Sequence, residues 1–405
     1  MHSRLYLTFL STVFSYAYTA SISTHISFTP TDSDSQTVLS KPHVLRTRVQ
    51  TVHQPRSIDD IQRVRERSLR LHQSEPIEWV KKDVLAPDVT DRETLQELAK
   101  MTANAYAQRG KPNWWAMNER WNESFPFGWE PDEDGFRGHV FVSHDENIVV
   151  MSIKGTSLWT PLGDRTSKKD KLNDNLLFSC CCARVDWTWR WQTVCDCYGG
   201  HNNCDQTCLS ASLMIDSLFY NVGLGLYMNL TAMYPNANIW LTGHSLGGSL
   251  AALLGATFGV PTVTFESPGE RLASTRLHLP SPPGLPYSEH PITHVWHTGD
   301  PIPDGRCVGP TSLCAKGGYA LETSVLNMIG LIFVLGNQIV YDTVTRKKWA
   351  PSIARHRIGV VIKDVLGEDW DEDRAVPEAV PYDDCEECAK WTFGDFINPG
   401  PEKHL

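Results

Sequence analysis

The feature that most constrains this chain is Ile239-Trp240-Leu241-Thr242-Gly243-His244-Ser245-Leu246-Gly247-Gly248, followed by an Ala/Leu-rich stretch to Phe258. An apolar, strand-compatible run leads into a serine flanked by glycines, and a helix-compatible run leads away. A serine hydroxyl is a poor nucleophile at its ordinary pKa, so it must be presented on an exposed turn within reach of a base. Glycines at 243 and 247 permit that sharp turn and let helix pack closely on strand. The competing reading is a plain glycine-rich turn with an ordinary serine. The strand before it and the helix after it favour a nucleophile at Ser245.

That architecture orders its partners as Ser, Asp, His along the chain. Asp300, in His297-Thr298-Gly299-Asp300-Pro301-Ile302-Pro303, follows the strand-like run 292–296, where a loop at a sheet's carboxyl edge begins. Asp304 competes with it. His356, in Ala354-Arg355-His356-Arg357-Ile358, lies well past the acid and before an apolar run. His404 falls in a terminal tail, and His294 and His297 precede Asp300. Charge on a tetrahedral intermediate needs preset donors. The N–H of Leu246 is one, and Thr156 in Ile153-Lys154-Gly155-Thr156-Ser157 is placed to give a second through its N–H or hydroxyl. This chemistry calls for neither metal nor cofactor.

Strand-like runs at 139–142, 148–153, 238–241, 261–265 and 292–296 alternate with helix-compatible stretches at 91–108, 208–234 and 251–258, after a basic helix-compatible stretch at 56–71. The alternation implies an α/β fold with a mainly parallel central sheet. The chain divides as an N-terminal signal segment (1–21), a Ser/Thr/Asp-rich stalk or linker (22–75), a catalytic domain (76–367) and an acidic tail (368–405). With 405 residues, 41% hydrophobic and 21% charged, the chain is long enough for one large domain with extensions. A formal charge of −10 argues against nucleic acid as a partner. Protonating all 15 histidines would raise it by 15 to +5, so an acidic lumen would change the surface character.

Met1-His2-Ser3-Arg4 and the apolar run 5–20 have the layout of a secretory signal, read either as a cleaved peptide or as a short signal anchor. Eleven cysteines, seven of them between 180 and 208, agree with an oxidising compartment. Disulfides are the favoured use; zinc at Cys195, Cys197, His201, Cys204 and Cys208 is the alternative. Cys385 and Cys388 fit a structural disulfide or free thiols. Asn122-Glu123-Ser124 and Asn229-Leu230-Thr231 are glycosylation sequons, placing candidate sites at Asn122 and Asn229.

Taken together, Gly155-Thr156-Ser157, the 243–248 segment, Gly299-Asp300-Pro301-Ile302-Pro303 and His356-Arg357-Ile358 resemble the class 3 lipases. Asn113-Trp114-Trp115, the Cys180-Cys181-Cys182 triplet and Trp187-Thr188-Trp189-Arg190-Trp191 bring the chain closest to the autophagy-related vacuolar lipases of fungi, over residues 44–367. The resemblance implies an α/β-hydrolase fold and a triad of Ser245, Asp300 and His356, with Thr156 and Leu246 as the oxyanion hole. It also implies a type II signal anchor, travel through multivesicular bodies to the vacuole, membrane lipid as substrate, and association with phosphoinositides. Oligomeric state is left open.

Two departures stand out. After Glu322-Thr323-Ser324 the family pattern continues with a Cys and a short link, whereas this chain carries an apolar insertion at 325–335, too short to span a bilayer. It reads as an unspliced segment, and it puts the placement of His356 at stake. Residues 158–191, with Trp159, Leu162, Leu176, Leu177 and Phe178 among charges, are a candidate lid or a disulfide-pinned surface loop. An esterase for soluble or cell-wall esters and an inactive lumenal membrane-binding protein are the alternative functions.

Overall fold

The computed structural model describes residues 45–71, 73–121, 123–130, 135–157, 166–182, 194–214, 218–305, 314, 334–367, 370, 374–381 and 391–396. The signal segment, Asn122, Cys385, Cys388, His404 and residues 325–333 of the insertion lie outside these. Among the described residues no helix is long and apolar enough to cross a membrane.

The chain opens with a hairpin of β1 (Thr47–Pro55) and β2 (Trp79–Pro87), paired antiparallel over nine residues, with α1 (Asp59–Leu71) between them. The expected linker 22–75 therefore ends earlier than residue 75. Residues 47–55 look linker-like because β1 is mostly exposed, whereas the basic, helix-compatible stretch 56–71 does form a helix, α1. This helix buries Ile61, Arg65, Ser68 and Leu69, at one-turn and two-turn spacings that make a single inward stripe.

The next elements are α2 (Arg92–Asn104), β3 (Glu123–Phe127), β4 (Gly138–Val142), β5 (Ile148–Ile153) and α3 (Ser167–Phe178). After them come the short strands β6 (Tyr198–Gly200) and β7 (Asn203–Asp205), then α4 (Gln206–Ser212) and α5 (Phe219–Met233). The expected single helix over 208–234 is thus two helices. Asp205 starts the first by accepting the Cys208 N–H at 2.7 Å, and Leu213 caps its end. The core continues with β8 (Asn238–His244), α6 (Leu246–Phe258), β9 (Thr262–Phe265), β10 (Ile292–His297) and β11 (Asn337–Tyr341).

Eight strands form the central sheet in the order β12, β11, β10, β9, β8, β5, β4, β3, where β12 is Val380–Pro381. The run from β5 through β8, β9 and β10 to β11 is parallel; β3, β4 and β12 join antiparallel. Every residue of β4, β5, β9 and β10 is buried, as expected for strands covered on both faces. Their side chains alternate between two cores. Val149, Met151, Ile239 and Leu241 meet α5 and α6 on one face, while Ile148, Val150, Trp240, Phe265 and Val295 meet Leu95, Leu98 and Met101 of α2 on the other. This mixed, mostly parallel sheet sandwiched by helices is an α/β-hydrolase architecture.

Two pieces of the acidic tail are built into sheets: β12 pairs with β11, and β13 (Thr392–Gly394) runs parallel to β7. All seven cysteines from 180 to 208 are disulfide-bonded, as is Cys314. Three bridges are Cys181–Cys204, Cys182–Cys195 and Cys197–Cys208. Cys182, Cys195 and Cys197 lie close enough together to share an ion. Bonded as cystine, their sulfurs offer no thiolate to zinc.

The described part of the candidate lid is not a lid. Residues 166–182 are a core helix and its disulfide-tied end, with Leu176, Leu177 and Phe178 fully buried. The same apolar triplet that suggests an amphipathic lid packs under the sheet's helical layer instead. Residues 158–165 and 183–191 lie outside the described set.

Candidate active site

β8 delivers Ser245 at its carboxyl end. Ser245 has φ 57° and ψ −132°, a conformation costly for any residue with a Cβ, and its N–H is donated to Phe265 O at 3.1 Å. The flanking glycines are sterically obligatory. A Cβ on Gly243 would lie 2.2 Å from Gly247 O, and one on Gly247 would lie 2.2 Å from Ile153 O. The turn is therefore pressed, backbone on backbone, against the loop that follows β5.

Around Ser245 the structure brings together residues far apart in sequence. Its Oγ is 2.8 Å from His356 Nε2, and His356 Nδ1 is 2.6 Å from Asp300 Oδ2. A carboxylate only accepts, so Nδ1 carries the proton and Nε2 accepts from the serine hydroxyl. Asp300 is fully buried, and Ile302 N–H donates to its Oδ1 at 3.0 Å. Burial alone would raise its pKa; the facing His356 and the hydrogen bonds it accepts hold it below the usual carboxylate value. Asp304 is not the partner of His356; its N–H points to Asp300 O. His294 and His297 are buried in β10 and bonded to Thr264, Leu335, Gly299 and Arg355. Val334 and Leu335, the end of the insertion, are buried, and Leu335 N–H donates to Glu270 Oε1 at 2.7 Å. With these residues in place, β11 and His356 still reach the site.

Leu246 is the first residue of α6, so its N–H belongs to the helix end that lacks intrahelical acceptors. Thr156 lies in the loop against which Gly247 packs. Its hydroxyl is donated to Asp174 Oδ2 on α3. The same loop is strapped down by Asp170, which accepts from Lys154 Nζ at 3.0 Å and from Ser157 N–H at 2.9 Å. Burial pushes the Asp174 carboxyl up to about 8, a rise that the Thr156 hydrogen bond opposes and the negative Asp170 reinforces. Asn229 is exposed on α5, where its side chain meets solvent.

Sequence reasoning missed the residues that brace this set. His244 Nε2 donates to His356 O at 2.6 Å, and the Tyr106 hydroxyl donates to His244 Nδ1 at 2.8 Å. Burial lowers the His244 pKa to about 3, so it holds the His356 main chain as a neutral ring. Asp170, Asp174 and Glu266 also went unnoticed. The usable signal for Glu266 was its position directly after the apolar run 262–265, since parallel strands gather such residues at one sheet edge.

Residues 204–265 match the family described as Lipase (class 3). Relatives carrying the name lipase ATG15 include that of Cryptococcus neoformans var. neoformans serotype D (strain B-3501A), 52% identical over 297 residues, which are 73% of this chain and 55% of the relative. The Mycosarcoma maydis protein is 44% identical over 334 residues, covering 81% and 62%. The Yarrowia lipolytica protein is 46% identical over 329 residues, covering 80% and 57%. The chain thus spans little more than half the length of these relatives. Among solved structures, the Lip2 lipase from Yarrowia lipolytica aligns with TM-score 0.30 and 18% identity over 53% of this chain and 75% of that one. A lipase from Rhizopus microsporus var. chinensis aligns with TM-score 0.31 and 13% identity over 75% and 84%. By its sequence relatives, the chain belongs to the class 3 lipases, in the branch whose fungal members carry the ATG15 name.

Proposed function

We propose that this chain is a serine lipase in which Ser245 is the nucleophile, His356 the general base and acid, and Asp300 the residue that orients and stabilises the imidazolium. The observation that carries this reading is the unbroken hydrogen-bonded relay from Ser245 Oγ through His356 to Asp300. In the first half-reaction the hydroxyl gives its proton to Nε2 as oxygen attacks the ester carbonyl. The carbonyl oxygen becomes an anion, which the N–H groups of Leu246 and Thr156 stabilise. His356 then protonates the departing alcohol, leaving an acyl-Ser245. Water, deprotonated by His356, releases the fatty acid and restores the serine.

The substrates in this reading are membrane phospholipids or triacylglycerol, and the biological task is lysis of autophagic bodies and of vesicles delivered by multivesicular bodies. Residues 1–21 serve as a type II signal anchor that holds residues 76–367 in the lumen on the way to the vacuole. Asn122 and Asn229 carry glycans, and the protein associates with phosphoinositides. Support comes from the relatives' names, the disulfide-rich 180–208 region and the exposed Asn229. A fluorophosphonate probe tests the nucleophile: labelling at Ser245 in folded protein is expected, and labelling elsewhere or nowhere overturns the assignment. Turnover of phospholipid vesicles beside a short soluble ester tests the substrate class, since activity confined to the soluble ester would reject a lipase.

A further inference from the structure

Glu266 sits where the chain leaves β9, between the nucleophile turn and the loop that carries Asp300. Its main chain is stitched to both neighbours: Phe265 O accepts the Ser245 N–H, and Glu266 N–H is donated to Val295 O at 3.0 Å. It adopts φ 47°, a left-handed conformation that costs about 1–3 kcal/mol for a residue other than glycine. Its side chain is 1% exposed and turned toward the Asp300 carboxyl and the His297 main-chain N–H, of which the second favours the ionised form.

The charged and titratable groups facing Glu266 are Asp300, His297 from β10 and, beyond Asp300, His356. His297 Nε2 lies 3.7 Å from Glu266 Oε1, yet this histidine is no counter-ion. Its Nδ1 accepts the Gly299 N–H at 3.2 Å, its Nε2–H is given to Arg355 O at 3.2 Å, and burial lowers its pKa to about 4. The Arg355 guanidinium is stacked 4.1 Å from the Trp349 ring. A carboxylate left here without a cation would carry a large desolvation penalty, so the neutral acid is the stable form. Burial, and then the negative Asp300, push its proton affinity well above the ordinary range. A neutral carboxyl has one O–H to place. The Asp300 carboxylate, which takes His356 N–H on Oδ2 and Ile302 N–H on Oδ1, has lone pairs to receive it.

We propose that Glu266 is a positioning residue of the triad, a neutral carboxylic acid that donates its O–H to Asp300 and keeps that carboxylate ionised and aimed at His356. This rests on the roles given above to Ser245, His356 and Asp300. A third donor lets Asp300 stay charged without solvent, and so extends the working range of the relay toward acid pH.

The test compares Glu266→Gln and Glu266→Leu in the full chain through the pH profile of kcat/KM on a short soluble ester. Gln keeps an N–H for Asp300, so its acid limb should stay within a few tenths of a pH unit of the wild type, whereas Leu should move it to higher pH by about one unit. Were Glu266 ionised, Gln would remove a negative charge beside the relay and move the acid limb to lower pH. That result, or an unmoved limb in a folded Leu variant, overturns the proposal. A second arm needs no activity. In a Ser245→Ala background, infrared difference spectra at neutral pH should show a protonated carboxylic acid band that Glu266→Gln abolishes. If that substitution removes no such band, the proposal fails whatever the chain hydrolyses, and this arm and the Gln profile decide the matter should the Leu variant not fold.

Discussion

Ser245 is held in a backbone conformation that few side chains tolerate, by contacts that over-determine it: Phe265 O on its N–H, and two glycines with no room for a methyl group. Gly247→Ala must therefore displace the loop 153–155, and we expect loss of esterase activity together with at least about 1–3 kcal/mol of stability. Asp300→Asn keeps the shape but presents an N–H to His356 Nδ1, forcing the wrong tautomer. The expected cost is about 10⁴-fold in kcat with little change in KM. Thr156→Val leaves the buried Asp174 without its hydroxyl donor, and chemical denaturation should show a loss of about 1–3 kcal/mol. The residues of the relay were legible in the sequence because each sits in a local pattern: serine between glycines after a strand, aspartate after the next-but-one strand, histidine past the acid. Tyr106, His244 and Glu266 were not, because what defines them is the partner opposite, 138 residues away for Tyr106 and His244, and no local period announces that.

At the scale of elements, α3 does more than fill space. Asp170 and Asp174 on its inner face hold the loop 154–157, while its far end is tied by Cys181 and Cys182 to the region around β6 and β7. The Cys181–Cys204 bridge closes a span of 23 residues, for which loop entropy gives about 3 kcal/mol. The paired substitution Cys181→Ser with Cys204→Ser should lower stability by that amount in denaturant titration. It should also weaken catalysis, through the slackened loop at Thr156, more than a surface bridge would. The helix itself reads as an amphipathic surface segment because charged residues outnumber apolar ones in it. Only tertiary pairing, of Asp170 with Lys154 and of Asp174 with Thr156, explains why the two aspartates point inward while Lys168 stays exposed. The same limit hid β1, whose exposed face resembles linker composition, and β12 and β13, which lie within an acidic tail.

Across the whole molecule, buried titratable groups set opposing slopes of stability with pH. His139, His290 and His297 are lowered by burial to about 4, and His244 to about 3, so between about pH 4 and 6.5 the unfolded chain binds protons that the folded one refuses. Stability therefore falls as pH drops through that window. Asp174, raised to about 8, and Glu266, raised well above its ordinary value, act in the opposite sense, because the folded chain keeps protons the unfolded one releases. Each group contributes at most about 1.4 kcal/mol per pH unit. Four histidines outweigh the two carboxyls below pH 6.5, and above it the carboxyls, Asp174 up to about 8, prevail over the fading histidine effect. Thermal unfolding should give its highest Tm near pH 6.5, lower at 5 and at 8; a Tm that climbs steadily from 6.5 to 8 would contradict this charge assignment.

Hydrolysis of defined phospholipid and triacylglycerol by the full chain and by Ser245→Ala, at a pH of about 5, tests the proposed role of Ser245 in lipid ester hydrolysis most directly. Fatty acid release by the wild-type chain, abolished by the substitution in folded protein, is the expected result. Equal release by both, or none by a wild-type chain that does hydrolyse soluble esters, would contradict it.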